Sequence, residues 1–270
     1  MIKKTALWLF AIVLTVAAAL YQRYTGPTYP MEDSITINNI EINFVLKRSH
    51  GGIDDQRVAI FASDSSLAGE LFYRRYNTND DFTNLTMQRE GDSLVAYLPH
   101  QPPAGKLEYY IHLISNENSV NIPADRTVVT RFKGAVPDIV LAPHIILIFL
   151  AMLWSTRTGL EALMPRGNTK SLTIQTVVLL LLGGMTLGPI VQKFAFGEFW
   201  TGVPFGWDLT DNKTLVAFAG WLLALWRHRY SQFPRFWVLA AAIILIGVFI
   251  IPHSMMGSEL DYSTGKVETG

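Results

Sequence analysis

The sequence predicts an integral membrane protein of mixed class, with an N-terminal anchor helix, an exported β-sandwich and a four-helix transmembrane bundle. Half of the 270 residues are hydrophobic and only 16% are charged. The charges are unevenly spread: residues 22–138 carry 11 basic and 15 acidic side chains, whereas residues 139–252 carry 8 and 4 between long apolar runs. This division excludes a single soluble globule, a disordered chain and a fibrous repeat. The predicted domains are 1–24, 34–135, 139–252 and an exported tail, 253–270.

Composition also excludes several classes of function. The formal net charge is zero and no basic stripe is visible, so nucleic acid is not an expected partner. The chain has no cysteine. Disulfides, thiolate metal sites, covalent heme attachment to the chain and cysteine nucleophiles are therefore excluded.

Five apolar segments are candidates for membrane helices. They are Thr5–Tyr21, Ile139–Thr156, Leu172–Gln192, about Thr210–Trp226, and Phe236–Ile251. A spanning helix needs about 20 residues, so the last two need their polar ends to reach that length. The first segment is interpreted as a retained anchor, and a cleaved signal peptide is the alternative because Ala17–Ala19 offers small residues for cleavage.

Lysine and arginine in the short loops predict the orientation. Lys3 and Lys4 place the N-terminus in the cytoplasm of a bacterium, and the arginines after the second and fourth segments are expected on the same side of the inner membrane. The β domain and the C-terminus are then exported. These cytoplasmic cations are Arg157, Arg166, Lys170, Arg227, Arg229 and Arg235.

Gly184 and Gly188 form a GxxxG spacing in the third segment. Such a spacing permits close helix contact. Packing within the bundle is favoured over a dimerisation face.

Residues 34–132 predict a sandwich of about seven strands. Apolar residues alternate with period two over 40–46 and 107–113, and glycine, proline and asparagine turns punctuate the other short runs. The segment 98–111 weakly resembles the late hairpin of fibronectin type III or immunoglobulin-like modules. This resemblance concerns the fold and indicates no function. No catalytic constellation is visible, and the domain is expected to bind a protein partner or to cover the membrane site beneath it.

The loop 193–213 carries six aromatic residues and three glycines in 21 residues. An aromatic belt at the membrane interface would explain the rings. It would explain neither the glycines nor Trp207-Asp208 directly before a helix.

Two histidines are predicted at the same membrane face as this loop. His144 lies near the exported end of the second segment, and His253 lies just past the exported end of the fifth. Ionisable residues at a membrane edge are candidates for function, and imidazole is a good axial ligand for heme iron. Lys193 or Lys213 could neutralise a heme propionate.

The order of exported histidine, helix pair, tryptophan-containing loop ending in Trp-Asp, helix pair and exported histidine resembles the heme-handling proteins of cytochrome c biogenesis. Their "WWD" loop presents heme between two flanking periplasmic histidines. The resemblance covers about residues 139–255 and is one of arrangement, with fewer tryptophans, fewer helices and an added β domain. It implies heme as cofactor and iron ligands at His144 and His253. The matching loop residues are Gly197, Trp200, Gly206, Trp207 and Asp208.

Two functions therefore stand. One is a heme-binding or heme-presenting membrane protein that serves cytochrome c assembly or an electron-transfer complex. The other is a non-catalytic membrane-anchored scaffold whose β-sandwich binds a protein partner. A transporter is disfavoured because paired broken helices are missing from the pattern, and whether the chain is an enzyme stays open.

Three structural expectations follow for the loop. It should fold back over the bundle and cover its apolar side chains, because soluble surfaces avoid large exposed apolar patches. Asp208 should cap the fourth helix, so that Asp208→Ala costs on the order of 1 kcal/mol. His144 and His253 should converge on one porphyrin.

Overall fold

The computed structural model describes residues 2–115, 118–165, 167–252, 255 and 257–269. It divides into two compact units. The helical unit comprises residues 1–27, 136–258 and 269–270, and the β unit comprises residues 28–135 and 259–268. The sequence places 253–270 in one tail, but the structure groups residues 259–268 with the β unit.

The helical unit contains six helices and one π-helical segment in its described residues. Three stretches are long and apolar enough to span a membrane: Lys4–Thr25, Asp138–Ala162 and Thr169–Phe196. The elements are α1 (Ile2–Thr25), α2 (Asp138–Ala162), α3 (Thr169–Leu180), the π-helical segment (Leu181–Leu187), α4 (Gly188–Phe196), α5 (Leu209–Tyr230) and α6 (Pro234–Ile250).

The end of α2 lies beyond the predicted segment. Arg157, predicted in a cytoplasmic loop, lies inside α2 and is buried. Its Nη2 donates to Oε2 of Glu161 at 2.6 Å, four residues later. The continuation of α2 to Ala162 brings Glu161 one turn from Arg157, and the pairing compensates the buried cation. Arg166 lies outside the described residues.

Small residues set the close approach of the helices. A Cβ on Gly183 would stand 2.8 Å from Cβ of Leu147 in α2, and one on Gly184 would stand 2.9 Å from Cγ2 of Thr214 in α5. The third apolar segment therefore packs through Gly184 against a helix of the same chain, which is the intramolecular packing that the sequence favours. The segment is π-helical just before Pro189, whose ring would clash with the carbonyl four residues earlier in a regular α-helix.

The β unit contains the predicted strands together with additional ones. The strands of its main part are β1 (Met31–Ile37), β2 (Ile40–Leu46), β3 (Ser49–Gly51), β4 (Gln56–Phe61), β5 (Leu67–Arg75), β6 (Thr83–Thr86), β7 (Gln88–Glu90), β8 (Ser93–Leu98), β9 (Lys106–Ser115), β10 (Asn118–Ile122) and β11 (Val128–Lys133). A short pair, β12 (Ser258–Leu260) and β13 (Val267–Thr269), ends the chain.

The strands form a six-stranded sheet, a three-stranded sheet and a hairpin around one core. The large sheet has the order β3-β11-β9-β5-β6, with β10 also paired to β9, and the smaller sheet has the order β4-β8-β7. The hairpin pairs β1 with β2. Inward side chains from all three enter one hydrophobic cluster, including Leu46, Ile60, Leu71, Leu98 and Ile111. This arrangement agrees with a β-sandwich.

The C-terminal segment is tied to the β unit by side chains. Nζ of Lys106 lies 2.5 Å from Oε2 of Glu259, and the amide of Leu260 donates to the carbonyl of Ala104 at 3.1 Å. The hydroxyl of Tyr262 donates to the carbonyl of Lys106 at 3.0 Å. These bonds anchor the β12–β13 pair.

We predict that Gly159→Ala destabilises the helical unit, whereas Gly220→Ala does not. A Cβ on Gly159 would stand 2.7 Å from Cβ of Ala242 in α6, but the nearest atom to one on Gly220 is 3.9 Å away. Overpacking costs about 1–3 kcal/mol, while alanine gains about 1 kcal/mol over glycine in a helix. Thermal unfolding in one detergent should give a Tm that falls only for Gly159→Ala. Equal shifts for the two variants would contradict this helix contact.

Candidate functional site

The candidate site is the end of the helical unit that carries the loop between α4 and α5. We define the loop as residues 197–208, between the end of α4 and the start of α5. Its amino end is Gly197, which follows α4 in a left-handed conformation with φ of 89°. Glycine adopts this conformation at little cost, so it ends the helix and turns the chain.

His144 lies on α2 against the π-helical segment and is half-buried. Its Nδ1 is 2.9 Å from the carbonyl oxygen of Gly183. Because a carbonyl oxygen only accepts, Nδ1 carries the hydrogen in this bond, and Nε2 is the nitrogen left for a ligand. Backbone orientation of one ring nitrogen in this way is common for histidines that bind metals.

The second predicted ligand, His253, lies outside the described residues. The convergence of the two imidazoles on one porphyrin therefore stays a prediction. Among the residues that the structure describes, no group of three or more His, Cys, Asp or Glu side chains could hold a metal ion.

Asp208 caps α5, which confirms the expectation from the sequence. Its Oδ1 accepts from the amides of Thr210 at 2.8 Å and Asp211 at 3.3 Å. Its Oδ2 accepts from both the amide and the hydroxyl of Ser258, each at 2.8 Å. The carboxylate is buried, and both of its oxygens are used within the helical unit.

Asp211 holds the loop from the first turn of α5. Its Oδ2 accepts from the amides of Thr201 at 2.6 Å and Gly202 at 3.0 Å, and from Nε2 of Gln192 at 3.1 Å. All three side chains of this group, Gln192, Thr201 and Asp211, are buried. Hydrogen bonds from several donors compensate a buried carboxylate, as the charge requires.

Both lysines proposed for heme propionates bond to backbone carbonyls. Nζ of Lys213 donates to the carbonyl of Ile251 at 2.8 Å and is buried, so it binds the C-terminal end of α6. Nζ of Lys193 lies 2.5 Å from the carbonyl of Gly197 and 5.4 Å from the ring centroid of Phe199. A lysine near the last carbonyls of a helix satisfies them and opposes the helix dipole.

The aromatic side chains of the loop point mostly outward. Trp207 is 77% exposed and Phe205 is 80% exposed, whereas Trp200 is half-buried and its Nε1 donates to the carbonyl of Val203 at 3.1 Å. Phe199 and Val203 are also exposed, as is Phe194 in the last turn of α4, directly before the loop. The loop does fold onto α5, because the amide of Val203 donates to Oδ1 of Asn212 at 2.7 Å. However, the expectation that it covers its apolar side chains is wrong for these five, because polar side chains occupy its inner face.

Sequence reasoning missed the polar network that shapes this end of the unit. Gln192, Thr201, Asp211 and Ser258 were not singled out, and together with Asp208 they link α4, the loop, α5 and the segment after α6. The signal was the polar run Asp208–Lys213 at the start of an apolar segment. Polar residues at that place must find internal partners when apolar surroundings offer none.

Comparison with known proteins adds no relative. No protein-family model matches the chain, and no curated protein matches it significantly.

We predict a graded effect of substitutions at Asp208. Asp208→Ala removes the cap of α5, which is worth about 1 kcal/mol, and leaves the buried amide of Ser258 without its acceptor, which costs about 1–3 kcal/mol more. Asp208→Asn retains an acceptor for the helix amides but not a second one for Ser258, so its loss should be smaller. The free energy of unfolding, measured by denaturant titration in detergent, checks this order.

Asp138→Ala is the matched control for these substitutions. Asp138 is an exposed acidic residue in the first turn of α2. Its place in the first turn favours an interaction with the helix dipole, and its removal should cost less than about 1 kcal/mol. Equal losses for Asp138→Ala and Asp208→Ala would contradict the network around Asp208.

Proposed function

We propose that the chain is a non-catalytic membrane-anchored scaffold whose β-sandwich binds a protein partner on the exported side. The polar side chains at the start of α5 support this proposal. Asp208, Asp211 and Lys213 are each bonded within the helical unit. Their chemistry is structural, so the loop needs no ligand to account for it.

We infer that α5 and α6 join the apolar helices in a four-helix transmembrane bundle beside the N-terminal anchor. α5 has 22 residues, which gives about 33 Å at 1.5 Å per residue, against about 30 Å for the hydrocarbon core. Its charged residues near the loop are buried, whereas Val216, Leu222 and Leu223 on its exposed surface are apolar. α6 is apolar but has only 17 residues, the lower limit for a span.

The orientation that fits this bundle puts the N-terminus in the cytoplasm of a bacterium. Lys3 and Lys4 lie at the start of the anchor helix α1, and Arg227, Arg229 and Arg235 lie around the junction of α5 and α6. Positive residues collect on the cytoplasmic side of the inner membrane. The β unit and the C-terminus are then exported. Because the chain would cross the membrane five times, an odd number, its two ends lie on opposite sides.

The observation that carries partner binding is the outward face of β4 and β8. Arg57 and Phe61 on β4 alternate with core residues, and Arg57 pairs across the ladder with Tyr97 of β8. Phe61 is 61% exposed, and Tyr97 is exposed as well. Tyrosine, phenylalanine and arginine are enriched in protein interfaces. These two rings do not pack into the hydrophobic core of the β unit. We therefore expect a protein partner to cover them.

Site-specific photo-crosslinking tests this face in the native membrane. A photoreactive phenylalanine analogue at Phe61 or at Tyr97 should give one discrete adduct with a protein partner. The matched control position is Asn84, an exposed residue of β6 in the other sheet. Adducts that are equally strong at all three positions, or missing at Phe61 and Tyr97, would contradict partner binding by this face.

Heme presentation is the second candidate, and His144 favours it. The bond from Nδ1 to the carbonyl of Gly183 presents Nε2 for iron. Because Lys193 and Lys213 are bonded to carbonyls, the propionates would need other partners or a rearranged loop. The resemblance to heme-handling proteins of cytochrome c biogenesis then rests on His144, on His253 and on the rings of Trp200 and Trp207.

Absorption spectroscopy separates the two functions. If heme is bound, hemin added to the purified protein should give a Soret band that shifts on reduction, and His144→Ala should weaken it. His228→Ala is the control, because its Nε2 lies 3.4 Å from the hydroxyls of Thr169 and Thr173 near the other end of the bundle. A wild-type protein without any Soret shift would exclude heme and leave the scaffold.

A further inference from the structure

The junction of α5 and α6 concentrates positive charge without any acidic residue. Arg227 and Arg229 lie in the last turn of α5, and Arg235 lies in the first turn of α6. The sequence has no Asp or Glu between Asp211 and Glu259. Within the described part of the chain, none of these three arginines forms an ion pair with a carboxylate. In the described residues, these three cations therefore have no carboxylate as a direct partner.

A fourth cation comes from the start of α3. His228 of the junction is 3.4 Å from the hydroxyl of Thr169, and exposed Lys170 follows directly. Arg235 is fixed by its Nη2, which donates to the carbonyl of Pro165 at 2.9 Å. The first turn of α3, which carries Lys170, therefore lies beside the basic junction of α5 and α6.

Arg227 is held in place by two tryptophans. Its guanidinium carbon lies 4.6 Å from the ring centroid of Trp237 and 5.3 Å from that of Trp226. Such cation–π contacts orient the planar group. Nε of Arg227 is buried and has no hydrogen-bond partner in the structure. Among the described residues, Trp226 and Trp237 are therefore the contacts that position this guanidinium.

Exposed aromatic rings surround these cations. Trp226, Tyr230, Phe233 and Phe236 all lie at the junction and are exposed. Tryptophan and tyrosine collect at the level of lipid headgroups, where one end of the ring is apolar and the other is polar. Rings at that depth bring the neighbouring arginines to the level of the phosphates.

We propose that the junction Trp226–Trp237, together with Lys170, binds the headgroups of anionic phospholipids. Charge complementarity selects the lipid: several fixed cations without a carboxylate match a phosphate that carries no compensating positive group. Arginine binds phosphate oxygens with two parallel N–H groups, and each basic residue near an anionic surface contributes to the affinity. The inference rests on the proposed membrane bundle and adds a lipid partner to it.

The test measures lipid binding to the purified full chain in neutral detergent by native mass spectrometry. Phosphatidylglycerol should bind more tightly than phosphatidylcholine, which carries a positive group on the same phosphate. Arg227→Gln and Arg229→Gln should each raise the apparent Kd for phosphatidylglycerol by about fivefold. Arg227→Lys should lie between wild type and Arg227→Gln, since it keeps the charge without the planar group. Soluble glycerol phosphate should not displace the lipid.

Arg23→Gln is the matched control. Arg23 is an exposed arginine in the last turn of α1, whose neighbour Gln22 donates to the carbonyl of Ile251 at the far end of α6. This substitution should leave the Kd unchanged. Equal binding of the two lipids to wild type, or the same Kd in all variants, would overturn the proposal. A separate experiment tests the membrane bundle on which the proposal rests. If alkaline treatment extracts the wild-type protein from membranes, the proposed transmembrane bundle is wrong.

Discussion

The carboxylate of Asp208 is the constraint on which the loop end of the helical unit depends. One oxygen caps α5 and the other holds Ser258, fifty residues later in the sequence. The cap determines where α5 begins, and this start places Asp211 one turn further on, within reach of the loop amides. Unsatisfied helix amides in apolar surroundings would cost more than in water. One side chain therefore couples the start of α5, the path of the loop and the segment after α6.

The polar side chains at this loop lie inside and its apolar rings lie outside, which is the reverse of the order in a loop on a soluble protein. Thr201, Asp208 and Asp211 lie inside, whereas Phe205 and Trp207 lie outside. For a chain in a bilayer this order is physically favourable, since lipid covers apolar rings at no cost and polar groups need partners within the protein. The expectation of covered rings came from a rule for soluble surfaces, and that rule does not hold where the solvent is a lipid interface.

The sequence alone was sufficient for the apolar helices, for the main alternating strands and for one contact between near neighbours. Period-two alternation located β2 and β9, apolar runs located the helices, and the position of Asp208 before an apolar segment predicted its cap. It was insufficient for contacts between distant residues, such as Asp208 with Ser258 or His144 with Gly183. It also placed Arg157 outside its helix, because the pairing with Glu161 that buries the cation depends on the helix being formed.

The sidedness of the loop is the central claim, and cysteine accessibility tests it most directly in a chain without native cysteines. Single variants Phe205→Cys, Trp207→Cys, Thr201→Cys and Ser258→Cys would each be treated with a maleimide in detergent. The structure predicts fast modification at 205 and 207 and slow modification at 201 and 258, where the native side chains are buried. Modification at 201 and 258 as fast as at 205 would contradict a buried polar network and reopen the loop as a ligand site.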